Sequence, residues 1–247
     1  MAEKHYHEQL AYTKDYLIPF LSQKIEGFME GQLRILEVGS AEGGSLAGLS
    51  ELGHQVDGFE IEAGRVAIAK KMLPANFKIT LGDITQRADI DFSAPYDFII
   101  MRDVIEHIPN KIAALQSLYD LLRPGGKAFI TFPLKHSPYA GHQQTAKSWL
   151  KFIPYIASFP ASLIRFLAKA AKEERQIEEI LYLKKHALSY QKLQQMLNGK
   201  WAISDVDFFF SRPVYKQRFG WSIIKWPNLP VLRELANGCE IIIQKQG

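Results

Sequence analysis

One glycine-rich turn, four acidic residues and two histidines have the types and spacing that suit chemistry. The turn reads Glu37-Val38-Gly39-Ser40-Ala41-Glu42-Gly43-Gly44. Glycines let a backbone turn sharply and approach a ligand closely. A helix starting there aims its N–H groups and positive dipole end at the same place. Glu60 follows about twenty residues later, the spacing at which a second strand brings an acid to ribose hydroxyls. Asp83 follows a third candidate strand, and Asp103 and Glu106 lie just past a fourth. His107 and His142 can exchange protons near neutrality, since free imidazole titrates near pH ~6.5.

These residues need a sheet to gather them. Arg34–Val38 and Gln55–Glu60 read as strands, and so do 77–81, 96–101, 127–132, 201–210 and 239–245. Helical spacing of apolar residues marks 45–52, 63–73, 111–122 and 189–197, with Gly53 and Gly199 as stops and Ser189 as a cap. The first thirty residues read as helix with a kink or boundary at Pro19, and Pro124-Gly125-Gly126 as a turn. Strand–helix alternation predicts an α/β fold with a parallel sheet covered on both faces. The four acids then meet at one sheet edge, where ligands of such sheets bind. Asp83 alone is equally suited to forming a turn.

The alternation stops after Pro133. Residues 136–188 carry no convincing strand, and 161–181 carry a helical apolar stripe. The expectation is one domain, 1–247, with N-terminal helices over 1–30 and a helical insertion over 136–188. A single cysteine, Cys239, excludes an intrachain disulfide and a cysteine zinc cluster. No metal site is expected. The N-terminus lacks a signal-peptide core and no apolar run is long enough to span a bilayer, so the expected location is cytoplasmic. Residues 1–134 carry 13 Lys+Arg against 18 Asp+Glu, whereas 135–247 carry 17 against 8. A basic second half suits an anionic substrate or a membrane surface, or merely solvated helix faces.

Several stretches resemble class I S-adenosylmethionine-dependent methyltransferases, in the family's order, over 34–133. ILEVGSAEGG resembles the cofactor motif, VDGFEIE the acidic strand after it, and LGDI the third-strand motif. YDFIIMRDVIEHI and LLRPGGKAFITFP resemble the fourth-strand and fifth-strand segments. The likeness is to the broad small-molecule group that includes ubiquinone-type enzymes. It implies a Rossmann-like, doubly wound, seven-stranded sheet, mostly parallel with an antiparallel last strand.

The resemblance implies S-adenosyl-L-methionine as cofactor. Gly39, Ser40, Ala41 and Gly43 would line its methionine part, and Glu37 would organise the turn and the amino group. Glu60 would bind the ribose, with Ile61 beside the adenine. Asp83 would accept from the adenine amino group while Ile84 packs on the ring. Arg102 and Asp103 would lie near the methionine end. Ala41 departs from the family's usual glycine, and it also weakens a dinucleotide fingerprint. By analogy with N-terminal helices of similar enzymes, Tyr6, Gln9 and Tyr12 would close over the cofactor.

Methyl transfer is an in-line displacement, so positioning supplies much of the rate. His107 and His142 are the candidate bases. The insertion is expected to form a lid or substrate wall over a small-molecule, glycan or lipid-linked acceptor. Its Trp149, Phe152, Tyr155 and Phe159, with Lys147, Lys151, Arg165 and Lys169, suit either a packed cap or peripheral contact with a membrane. No specific nucleic-acid partner is expected. Two other readings remain open: a cofactor-binding regulatory protein without catalysis, and a nicotinamide dehydrogenase.

Overall fold

A computed structural model describes residues 2–91, 95–140, 146–197 and 199–246. Its centre is a sheet of eight strands: β1 (Arg34–Val38), β2 (Gln55–Glu60), β3 (Ile79–Leu81), β4 (Tyr96–Arg102), β5 (Leu122–Phe132), β6 (Trp201–Ser211), β7 (Ile224–Trp226) and β8 (Gly238–Lys245). Their spatial order is β3-β2-β1-β4-β5-β8-β6-β7. The first five pair in parallel, and β8 then inserts antiparallel between β5 and β6. This is the expected Rossmann-like sheet with its antiparallel final strand. The difference is the short β7, which adds an eighth strand along the free side of β6. Three residues beside Pro227 leave no alternating run to read.

Side-chain alternation along β4 shows how the sheet divides the core. Ile99 and Met101 face one side, with Leu115 and Leu118 of α5 (Lys111–Leu121) and Leu193 of α8 (Tyr190–Leu197). Phe98 and Ile100 face the other side. There they meet Leu17 and Leu21, Leu46 of α3 (Gly44–Ser50) and Val66 of α4 (Ala63–Met72). The N-terminal helices, α1 (Ala2–Tyr12) and α2 (Ile18–Lys24), are joined by a π-helical turn over Thr13–Leu17. Pro19 lies inside this continuous helical run, directly after the π-helical turn, the kind of local widening found where the helix ladder is interrupted.

Two local expectations change. The stripe over 161–181 breaks into α6 (Ala161–Ala170) and α7 (Glu174–His186), because Lys172 takes a left-handed conformation between them. The Pro124-Gly125-Gly126 turn is absorbed into the start of β5, with Gly125 at φ 73° and a register shift opposite Tyr96 and Phe98.

The insertion builds a separate small core from Leu150, Ile156, Ile164, Ala168, Ile177 and Ile180. Phe152 and Phe166 point outward, 73% and 68% exposed, so the packed cap accounts for only part of its apolar surface. The final helix is α9 (Pro213–Phe219), begun by proline and closed by Gly220 in the left-handed region. No helix among the described residues is long and apolar enough to cross a membrane.

Candidate active site

The glycine turn leaves β1 and enters α3 through alternating left-handed positions: Gly39 at φ 76°, Ala41 at 47° and Gly43 at 84°. Ala41 adopts the conformation that glycine would take more freely. A Cβ on Gly39 would sit 2.3 Å from Cγ2 of Val104, so that position has no room for a side chain. Five N–H groups of this turn are already committed. Those of Gly39 and Ser40 donate to the Phe59 carbonyl at 2.7 and 3.3 Å, and that of Gly43 donates to the Ser40 carbonyl. Ala41 N–H donates to Glu60 Oε2 at 2.8 Å, and Gly44 N–H to Gln9 Oε1 at 3.2 Å. The start of α3 is also covered by α1: a Cβ on Gly44 would lie 2.1 Å from the Tyr6 carbonyl.

Glu60 is buried and held from both sides. Glu62 N–H donates to its Oε1 at 2.9 Å, opposite the bond from Ala41. The carboxylate is thereby fixed in direction at the end of β2. Asp83 forms the turn after β3, accepting at Oδ1 from the Thr85 backbone and hydroxyl at 2.9 and 2.8 Å. Ile84 is buried and Ile61 is exposed, and both border the same cleft.

That cleft has a volume of about 790 Å³. One end carries Gly39, Ala41, Glu60, Ile61, Asp83 and Ile84. The other end carries Arg102, Asp103, His107, Tyr139 and Glu179. Ser40 and Gly43 lie beneath the wall, packed into the turn, and Glu37 is likewise buried. Glu37 reaches the cleft through Arg102, whose Nη2 donates to its Oε1 at 2.6 Å and also contacts the Ser45 hydroxyl. Burial raises the Glu37 pKa, and the guanidinium pulls against that rise.

His107 borders the cleft with its side chain 42% exposed, and its carbonyl accepts from the Tyr182 hydroxyl of α7 at 2.6 Å. Glu106 turns away and is buried, with neither carboxylate oxygen hydrogen-bonded among the described residues. Burial, aided by nearby Asp103, raises its pKa. Of the four edge acids, Glu106 therefore does not line the cleft, although it stays beside Asp103 and His107. His142 lies outside the described residues.

Sequence reading missed the far side of this site. Asp103, at φ 53°, accepts from the Thr131 hydroxyl at 3.1 Å and pairs with Arg212 at the head of α9. Tyr12 lies under the Arg102 guanidinium, 5.1 Å from its ring centre. Glu240 of β8 accepts from the Tyr16 hydroxyl at 2.7 Å, and burial pushes its pKa up to about 7. The Asp103 and Glu240 partners come from elements over 100 residues away, and no motif marks them.

A family model described as a methyltransferase domain matches residues 5–187. The chain belongs to the methyltransferase family. Within it, a stretch of 111 residues is 32% identical to phosphoethanolamine N-methyltransferase 2 of Caenorhabditis elegans. That stretch covers 42% of this chain and 24% of the nematode enzyme. The ubiquinone biosynthesis O-methyltransferase of Pectobacterium atrosepticum is 25% identical over 181 residues, covering 66% of this chain and 70% of that protein. In fold, the chain is similar to the plantazolicin methyltransferase BpumL in complex with SAH, at TM-score 0.61 and 14% identity, covering 100% of this chain and 89% of that one. It is also similar to an S-adenosylmethionine dependent methyltransferase from Mesorhizobium loti, at TM-score 0.57 and 14% identity, covering 92% and 96%.

The methyltransferase family uses S-adenosylmethionine, and the donor set here fits that group. An oriented carboxylate at Glu60 suits ribose hydroxyls, and Ile61 with Ile84 suits a flat base. A dinucleotide pyrophosphate instead requires free N–H donors at the start of α3. Gln9 and α1 already occupy Gly44 there.

Proposed function

We propose that the protein moves a methyl group from S-adenosylmethionine to a small-molecule, glycan or lipid-linked acceptor. The observation that carries this reading is the continuity of one cleft from the Glu60–Asp83 end to His107, Tyr139 and Glu179. The cofactor supplies an electrophilic methyl carried on a sulfonium.

The chain's residues would do the rest. Glu60, anchored by Ala41 and Glu62, accepts from ribose hydroxyls without having to reorganise. Ile61 and Ile84 bracket the base. Arg102, tied to Glu37, closes the floor below the methionine end. His107 faces the side bordered by the insertion, where an acceptor hydroxyl or amine can hand over its proton as the methyl arrives. His142 remains a second candidate for that role.

The test is transfer of labelled methyl to a panel of phenolic, amine, glycan and lipid-linked acceptors. Label should appear in one class, and His107→Ala should lower its turnover on the order of 100-fold at saturating cofactor. Cofactor binding with no transfer to any class would contradict the reading and favour a regulatory role. An unchanged turnover would remove His107 as base.

A further inference from the structure

The stretch 208–233 contains no Asp or Glu and five Lys or Arg. Three of these cations are already engaged. Arg212 pairs with Asp103, Lys225 donates to Asp207 at 2.8 Å, and Arg233 stacks 4.7 Å from the Tyr190 ring centre. Lys216 and Arg218 of α9 are exposed, and no ion pair joins them to other described residues.

The same stretch of chain exposes several large apolar groups close together in sequence. Phe219 is 53% exposed, Trp221 56%, Ile224 48%, Leu229 56% and Val231 81%. Phe219 and Trp221 brace each other, ring centres 5.2 Å apart, so they are presented rather than tucked away. This combination is that of an interfacial membrane anchor: aromatic and aliphatic groups that enter the acyl boundary, with cations that meet anionic headgroups. A second copy fits less well. A two-fold pairing would set the patch against itself, bringing Lys216 and Arg218 up to like charge. Nucleic acid would leave Ile224, Leu229 and Val231 without a matching surface.

We propose that α9 and the segment after it, through about Leu232, dock on an anionic lipid bilayer. Arg218 and Phe219 also border the cleft, so docking sets the cleft mouth against the membrane. The methyl-transfer reading is not required for this, because vesicle binding needs no turnover.

Co-sedimentation of the full chain tests it, using phosphatidylcholine vesicles with and without about 30% phosphatidylglycerol. The protein should pellet with the anionic vesicles, not the neutral ones, and binding should fall as salt rises. K216E/R218E should lower partitioning on the order of 30-fold or more, at about tenfold per 1.4 kcal/mol and about 1 kcal/mol per surface cation. Trp221→Ser should lower it at least about tenfold. F152S/K151E, on the insertion, should leave it unchanged. Melting followed by circular dichroism checks that each variant folds. If the charge variant does not fold, the salt titration of the unaltered protein reads the same contribution. Absence of anionic-vesicle binding overturns the proposal. So does binding that these patch variants leave intact, or a dimer that Trp221→Ser dissociates without any vesicle binding.

Discussion

The two ends of the cleft are built by different means. At the Glu60–Asp83 end, side chains hold backbone groups of adjoining strand ends: Glu60 holds Glu62 and, across from the neighbouring strand, Ala41, while Asp83 holds Thr85. At the Asp103 end, side chains pair across the whole chain: Asp103 with Arg212 and, behind the cleft wall, Tyr16 with Glu240. The first end is a fold-back of strand ends and glycine turns. The second exists only when the N-terminal helices, β8 and α9 have all arrived. On the proposed reading, the cofactor meets a wall of adjoining strand ends, and the acceptor meets a wall tied by the Asp103–Arg212 ion pair between distant elements.

Breaking the long-range wall should cost most. Arg212→Met leaves Asp103 without its cation in a half-buried site, and Asp103→Ala leaves Arg212 buried and unpaired. Removing one partner of a fully buried pair costs about 3–5 kcal/mol, and the partial exposure of Asp103 sets the expectation at the lower end, about 3 kcal/mol. Chemical denaturation should show a loss of that size for Asp103→Ala and a smaller one for D103A/R212M. Equal losses for the single and double variants would mean that the pair does not join α9 to the β4 end.

The next effect is one of pH. The ordinary Glu240 pKa is 4.5, and burial raises it to about 7 in the folded chain. The folded state thus holds a proton between about pH 4.5 and 7 that the unfolded chain has released. Stability from this group is complete below about 4.5 and declines as pH rises through 7, by on the order of 3 kcal/mol. Glu240→Gln should remove that slope and leave the protein more stable than the parent at pH 7.5, as urea unfolding at several pH values would show. A parallel slope in the variant would place the titration elsewhere.

The local wall should yield smaller, site-confined effects. Gly39→Ala forces a left-handed alanine and a contact with Val104 at once, so cofactor affinity should fall about 10–100-fold. Val104→Ala in the same chain should restore part of it. Glu60→Gln should weaken cofactor binding about tenfold, because the amide keeps one acceptor oxygen for the two backbone donors. Neither change should alter the pH slope assigned to Glu240. If either does, the two walls are coupled and the contrast fails.

The same contrast explains what the sequence shows and hides. Glu60, Asp83 and the glycine turn are readable because consecutive strand ends and their loops carry them to one edge of the sheet. Ser40 and Gly43 lie in the same motif, yet they sit beneath the wall, a burial that residue type does not signal. Arg212, Tyr16 and Glu240 carry no local pattern, since their meaning arises from partners over 100 residues away. The strand β7 was hidden by its three residues, and the α6–α7 break by a lysine at a conformation glycine would have advertised. The basic excess of the second half was legible in composition, but α9 itself and the aromatic groups exposed after it were not.

Calorimetry of the full chain with S-adenosylmethionine, its demethylated product and NAD tests the central claim most directly. Both the methyl donor and its product should bind at one site, weakened by Glu60→Gln, and NAD should not bind. NAD binding without binding of the sulfonium cofactor would contradict the account.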